Sequence, residues 1–147
     1  PEIAVEIGLH ALVFPHGIGH HLGLDVHDME NFGDRPSYPK GMKRPDQFGT
    51  RFLRLNLPLE SGWIVTVEPG FYVVDAILDN PVLNKKFGTM FDLNKLNDWR
   101  GFGGIRIEDD ILITTDAPHV ISEAVPKTVS QLEAIVGTGK SVQERLG

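Results

Sequence analysis

Pro15-His16-Gly17-Ile18-Gly19-His20-His21-Leu22-Gly23-Leu24-Asp25-Val26-His27-Asp28 is the stretch from which the rest of the chain can be read. Glycines at 17, 19 and 23 oppose a helix, since each costs about 1 kcal/mol there relative to Ala. The segment from Phe14 to Leu24 therefore reads as extended, with glycines that admit a closely approaching backbone. Four of the chain's six histidines fall within the twelve residues 16–27. His16 and His20 are an even number of residues apart, so on an extended strand they share a face. A helical His-x-x-x-His pair would also converge, but the Glu that the helical zinc motif needs after its first His is replaced by Gly17. A glycine-rich turn with incidental histidines would give the same letters. Metal or substrate chemistry accounts for the glycines and histidines together.

Two later segments complete a pattern: Val67-Glu68-Pro69-Gly70 and Gly104-Ile105-Arg106-Ile107-Glu108-Asp109. Trp63 to Val67 reads as a strand that Pro69-Gly70 interrupts, leaving Glu68 where a sheet stops and a pocket can begin. Taken alone, a surface Glu before a turn is the plainer reading. Ile105 to Thr114 alternates and is β-branched, so it reads as one strand. Ile105 and Ile107 take one face, Arg106 and Glu108 the other. A solvated edge would alternate in the same way, but a fixed cation beside a metal carboxylate also fits. His20, Glu68 and Glu108 together offer an imidazole and two carboxylates, a donor set for Mn, Zn, Co or Fe rather than for a thiolate-preferring metal. Their spread over about ninety residues means that the fold, not one local loop, must assemble the site.

The remainder of the chain supplies context. Residues 2–12 read as the tail of a helix, and 30–50, with three prolines and three glycines, as a long loop. Residues 79–100 read as a polar insertion with a short helix around Met90 to Trp99. Ser130-Gln131-Leu132-Glu133 offers a capping box for a helix that Gly137 would stop. Gly137-Thr138-Gly139-Lys140-Ser141 resembles the end of a phosphate-binding loop, but the first glycine that loop requires is Ala134 and too few residues follow for its helix. Residues 137–147 are expected to be a flexible tail.

Composition excludes several classes. The chain has 147 residues, 41% hydrophobic and 23% charged, the make-up of an ordinary globular domain. Its net charge of −6 and lack of any basic run speak against nucleic acid, which needs clustered Lys and Arg. Without cysteine there is no disulfide framework and no Cys-type zinc site, which is compatible with a cytoplasmic protein. No apolar stretch approaches the ~20 residues of a membrane helix, and the amino terminus lacks a signal-peptide layout. Beginning at Pro1-Glu2-Ile3, the chain reads as part of a longer protein.

Read together, the segments His16–Asp28, Thr66–Tyr72 and Gly104–Asp110 resemble the metallopeptidases of the pita-bread fold, specifically the Xaa-Pro branch of prolidase and aminopeptidase P. The likeness runs from about Phe14 to about Ile135. It implies an α+β fold, a curved, mostly antiparallel sheet with helices outside, of which residues 1–147 would be only the carboxy-terminal half. By the resemblance His20, Glu68 and Glu108 are metal ligands, and Glu68 is also the proton shuttle. His27 contacts the scissile carbonyl. His16 and Arg106 line the proline pocket, Tyr72 is a further substrate-binding residue, and Arg54 takes a dipeptide's terminal carboxylate. The family holds two divalent ions, manganese first with zinc or cobalt as alternatives, through five ligands. Two upstream aspartates of that set have no counterpart here. The implied function is hydrolysis of the bond before proline, as a dipeptidase or as an aminopeptidase on longer peptides, the substrates being its only partners besides further copies of itself. A non-catalytic pita-bread binding protein and a creatinase-like amidinohydrolase are the other readings; both proceed without the ligand set retained here. The isolated piece would be inactive, its metal site empty or holding one weakly bound ion.

Overall fold

The two β-rich runs that carry Glu68 and Glu108 lie antiparallel to each other along almost their whole length. This is seen in a computed structural model that describes residues 2–146. Strand β1 (Ile64–Val67) pairs with β4 (Asp109–Leu112), Ile64 opposite Leu112 and Val67 opposite Asp109. Strand β2 (Gly70–Val73) pairs with β3 (Gly103–Arg106), Gly70 opposite Arg106 and Val73 opposite Gly103. Both ladders keep one register. Advancing one residue from the Val67–Asp109 pair puts Glu68 opposite Glu108, at the gap between the ladders.

That gap corrects the single strand expected over Ile105–Thr114. The cause lies on the partner strand. Pro69 has no N–H to give, and only its carbonyl bridges the break, accepting from the Ile107 N–H at 3.1 Å. Because side chains alternate along both runs, Thr66, Glu68 and Tyr72 share a face with Arg106 and Glu108. The opposite face carries Val67, Ile105 and Ile107, all exposed. Strand β5 (His119–Val120) extends the sheet beyond β4.

On the free edge of β1 lies the histidine segment. The Leu22 N–H donates to the Ile64 carbonyl at 3.0 Å, Thr66 N–H to His20 at 2.9 Å and Glu68 N–H to Ile18 at 2.7 Å; His21 and Val65 form an antiparallel bridge. Of the extended reading of Phe14–Leu24, these bonds bear out residues 18–22, while Gly23 and Leu24 already turn away; Gly19 shows why glycine is needed. A Cβ there would stand 2.0 Å from the Thr66 carbonyl oxygen.

Helices flank these ladders. α1 (Glu2–Glu6) stops at Gly8, whose φ of +84° breaks the helix expected over 2–12, and Leu9–Leu12 continues as a 3-10 turn. The polar insertion 79–100 holds two helices rather than one, α3 (Pro81–Phe87) and α4 (Leu93–Asn97), and α2 (Asp75–Leu78) leads into it. They exist because they bury Leu78, Phe87 and Leu96. Leu78 and Leu96 cluster with Val73 of β2, with Val13, Phe71 and Phe91 packed against them. Helix α5 (Val129–Ile135) has its capping box at Thr128, two residues before the expected Ser130. Thr128 accepts from the Gln131 N–H, and the Gln131 side chain accepts from the Thr128 N–H. Where the tail was expected, α6 (Val142–Leu146) forms one turn, with Ser141 and Glu144 capping each other.

Residues 30–50 are irregular, as expected, apart from the 3-10 turn Glu30–Phe32 and the start of another at Thr50–Phe52. The loop is pinned by buried Tyr38, whose hydroxyl donates to the Leu53 carbonyl at 2.7 Å, and by Arg44, which reaches Asp34 at 2.7 Å and the Leu53 carbonyl at 2.6 Å. Among the described residues no helix is long and apolar enough to cross a membrane.

Candidate metal centre

His20 is fixed from both sides of its peptide. Its backbone N–H donates to the Thr66 hydroxyl at 3.1 Å, and its ring Nδ1 lies 2.8 Å from the His21 carbonyl. A carbonyl only accepts, so Nδ1 carries the hydrogen and Nε2 keeps its lone pair. That Nε2 faces Glu68 Oε1 at 3.4 Å. Thr66 completes the link by donating to the same Glu68 oxygen at 3.3 Å. Both His20 and Glu68 are buried, 4% and 6% exposed, a costly setting for a carboxylate without a cation.

Glu108 joins them across the gap in the ladder. One ligand atom each from His20, Glu68 and Glu108 lies within 4.8 Å of the others. Two carboxylates directly opposite each other repel, and an imidazole lone pair beside them does nothing to relieve this. A divalent cation does, and nitrogen with carboxylate oxygen is what such ions take. The donor set therefore fits the metal expected of it. Here Arg106 supplies the balancing charge, its NH1 donating to Glu68 Oε2. That hydrogen bond chiefly holds the Arg106 guanidinium above its ordinary value, against the effect of burial.

The remaining sequence-derived residues gather beside this cluster. A cavity of about 400 Å³ is lined by His16, His27, Arg54, Glu68, Tyr72 and Arg106. The His27 ring stands edge-on to His20, with centroids 4.5 Å apart. His16 gives its Nδ1 hydrogen to the Gly17 carbonyl at 2.7 Å and takes the Tyr72 hydroxyl on Nε2 at 3.0 Å. Gly104 makes room for that tyrosine: a Cβ there would meet the ring at 2.2 Å. Arg54 reaches the cavity wall with its guanidinium already engaged, NH1 donating to Glu30 Oε1. Glu30 is held below the usual carboxylate range chiefly by that hydrogen bond, against burial, with the charge of Arg54 adding to it.

Two residues here are not singled out by the sequence for the contacts they make. Thr66 reads only as a β-branched strand residue, yet it ties His20 to Glu68. Glu30 reads as one more charge in a loop, and only the folded chain brings it to Arg54.

Fold and donor set together define a scaffold for divalent metal, built at a break between antiparallel ladders. The chain belongs to metallopeptidase family M24, whose profile matches residues 2–115. Over 133 residues it is 40% identical to the Xaa-Pro dipeptidase of Pongo abelii, covering 90% of this chain and 26% of that one. It aligns structurally with proline aminopeptidase P II from Yersinia pestis at a TM-score of 0.54 and 31% identity, over 90% of this chain and 22% of that one. A zinc-substituted E. coli aminopeptidase P in complex with product gives 0.55 and 30%, over 95% and 24%. The pita-bread expectation is borne out by these likenesses. The chain spans about a quarter of the length of the curated relatives it matches.

Proposed function

We propose that this chain is the carboxy-terminal half of the catalytic domain of an Xaa-Pro dipeptidase, hydrolysing the peptide bond that precedes proline. The observation that carries the reading is the convergence of His20, Glu68 and Glu108 beside a cavity whose wall includes Arg54. In the intact protein these three side chains would hold divalent metal, manganese in our reading, with further carboxylates from elsewhere completing a two-ion site. When bound, the ions supply Lewis acidity and a nucleophile usable at neutral pH.

The chain's own residues do the rest. Glu68 takes the proton of the attacking water and delivers it to the proline nitrogen. His27 donates to the carbonyl oxygen as negative charge develops on it. His16, Tyr72 and Arg106 wall the space for the ring, so that the fixed φ and missing N–H of proline, which defeat most peptidases, become the basis of selection. Arg54 offers a planar fork to the dipeptide's free carboxylate. The 147-residue chain alone would bind at most one ion weakly and would not turn over. A cytoplasmic setting agrees with the absence of cysteine, and self-association agrees with the exposed apolar face of Val67, Ile105 and Ile107.

Aminopeptidase action on longer Xaa-Pro peptides is the second reading, favoured by the engagement of Arg54 with Glu30 and by the two aminopeptidase P structures. Arg54→Ala in the intact protein separates the two. Losing one partner of a charge-assisted pair costs about 2 kcal/mol or more, so kcat/KM for an Xaa-Pro dipeptide should fall by at least about thirtyfold. An Xaa-Pro tetrapeptide should change little. Equal losses on both substrates would favour the aminopeptidase.

A further inference from the structure

Arg54 stands between two cavities. The one of about 400 Å³ contains His27, Glu68 and Arg106. A neighbour of about 270 Å³ contains Glu30, Asp34, Arg44 and Arg51. Arg54 and Phe52 line both. A carboxylate entering the first cavity would meet two guanidiniums on its walls, and both are taken: Arg106 by Glu68 and Arg54 by Glu30. The other two arginines of the second cavity are held differently. Arg44 is committed to Asp34 and the Leu53 carbonyl, and Arg51 lies over the Phe52 ring at 5.3 Å from its centroid.

The two pairs differ in strength. Glu68 is buried, and removing its arginine would strand a charge in the interior. The side chains of Arg54 and Glu30 are 41% and 38% exposed, so water readily replaces either partner and their pair is weak. Displacement therefore happens at Arg54. Glu30 is presented to it by a 3-10 turn entered through Met29 at φ +65°, the one non-glycine residue of positive φ among the described residues. A backbone state of that kind persists only where its surroundings hold it.

We propose that Glu30 is a specificity-determining residue, an internal carboxylate that competes with the free carboxylate of the ligand for the Arg54 guanidinium. This rests on the dipeptidase reading above, in which Arg54 anchors that carboxylate. Its consequence is a raised threshold for anionic ligands: a ligand binds through Arg54 only when its carboxylate is placed well enough to outcompete Glu30. A residue that merely positioned Arg54 would have the opposite effect on removal.

The test uses the intact protein and calorimetric binding of a Gly-Pro analogue whose scissile amide is reduced to a methyleneamine, as the free acid and as the carboxy-terminal amide. Glu30→Gln and Glu30→Ala should each bind the acid roughly two- to fivefold more tightly than the unaltered protein. The amide should bind equally to all three, which also certifies that the variants are folded. Adding Glu30→Gln to Arg54→Ala should bring no gain in acid binding over Arg54→Ala alone. Weaker or unchanged acid binding by the Glu30 variants would overturn the proposal, as would a gain that survives loss of Arg54. Turnover of Xaa-Pro substrates, measured alongside, decides the functional reading separately. Turnover with unchanged acid affinity in Glu30→Gln overturns only the role of Glu30. Absent turnover overturns the reading, while the acid–amide comparison still decides whether Glu30 competes for Arg54.

Discussion

Glu68→Gln in the intact protein is expected to lower kcat on an Xaa-Pro dipeptide by about 10²- to 10⁴-fold, the range for losing a positioned proton carrier, and to reduce metal content with it. The substitution keeps the shape of a side chain that is 6% exposed and removes only its charge. That charge faces the lone pair of His20, accepts from Thr66 and neutralises Arg106. An amide in its place cannot take a proton, binds divalent metal poorly and leaves Arg106 without an anion. Steady-state kinetics with metal analysis is the check. The far-UV circular dichroism spectrum should be unchanged, since no backbone hydrogen bond depends on the Glu68 side chain. Near-normal turnover by Glu68→Gln would contradict both of its assigned roles.

Gly19→Ala is expected to have the second largest effect, through geometry rather than charge. The added methyl would lie 2.0 Å from the carbonyl oxygen of Thr66 and 3.0 Å from its carbon. Those are backbone atoms of β1, and they cannot turn aside as a side chain would. Either the histidine segment lifts off β1 or β1 itself shifts, at about 1–3 kcal/mol for overpacking. His20 is the next residue, so its ring moves too. Disturbing what orients a metal ligand typically costs ten- to a hundredfold in affinity. Gly17→Ala is the contrast, because its methyl would meet the flexible Leu53 side chain at 3.1 Å. Denaturant melts and metal titrations of the two variants should rank Gly19→Ala well below Gly17→Ala in both.

Alternation is what made the centre legible in the sequence. The two-residue period of Ile105-Arg106-Ile107-Glu108 survives unchanged in the fold, because a strand cannot alter which side chains share a face. The division of 105–114 into β3 and β4 was not legible there, because its cause is Pro69 on the opposite strand. Alternation likewise cannot say which face is covered, and Ile105 and Ile107 lie on an exposed one. Helix α3 did carry its signature, Asn80 capping before Pro81, inside a stretch whose polar composition masked it. Thr66 and Glu30 belong to a different class. Each acts through one contact between distant parts of the chain, and neither residue type announces such a contact.

The measurement that bears most directly on the whole account is anomalous diffraction from crystals of the intact protein grown with Mn²⁺. The account predicts an anomalous peak at the break between the ladders, about 2–2.2 Å from His20 Nε2 and from a carboxylate oxygen of each of Glu68 and Glu108. No peak at these three residues, or hydrolysis of Xaa-Pro dipeptides by a protein with no metal there, would contradict it.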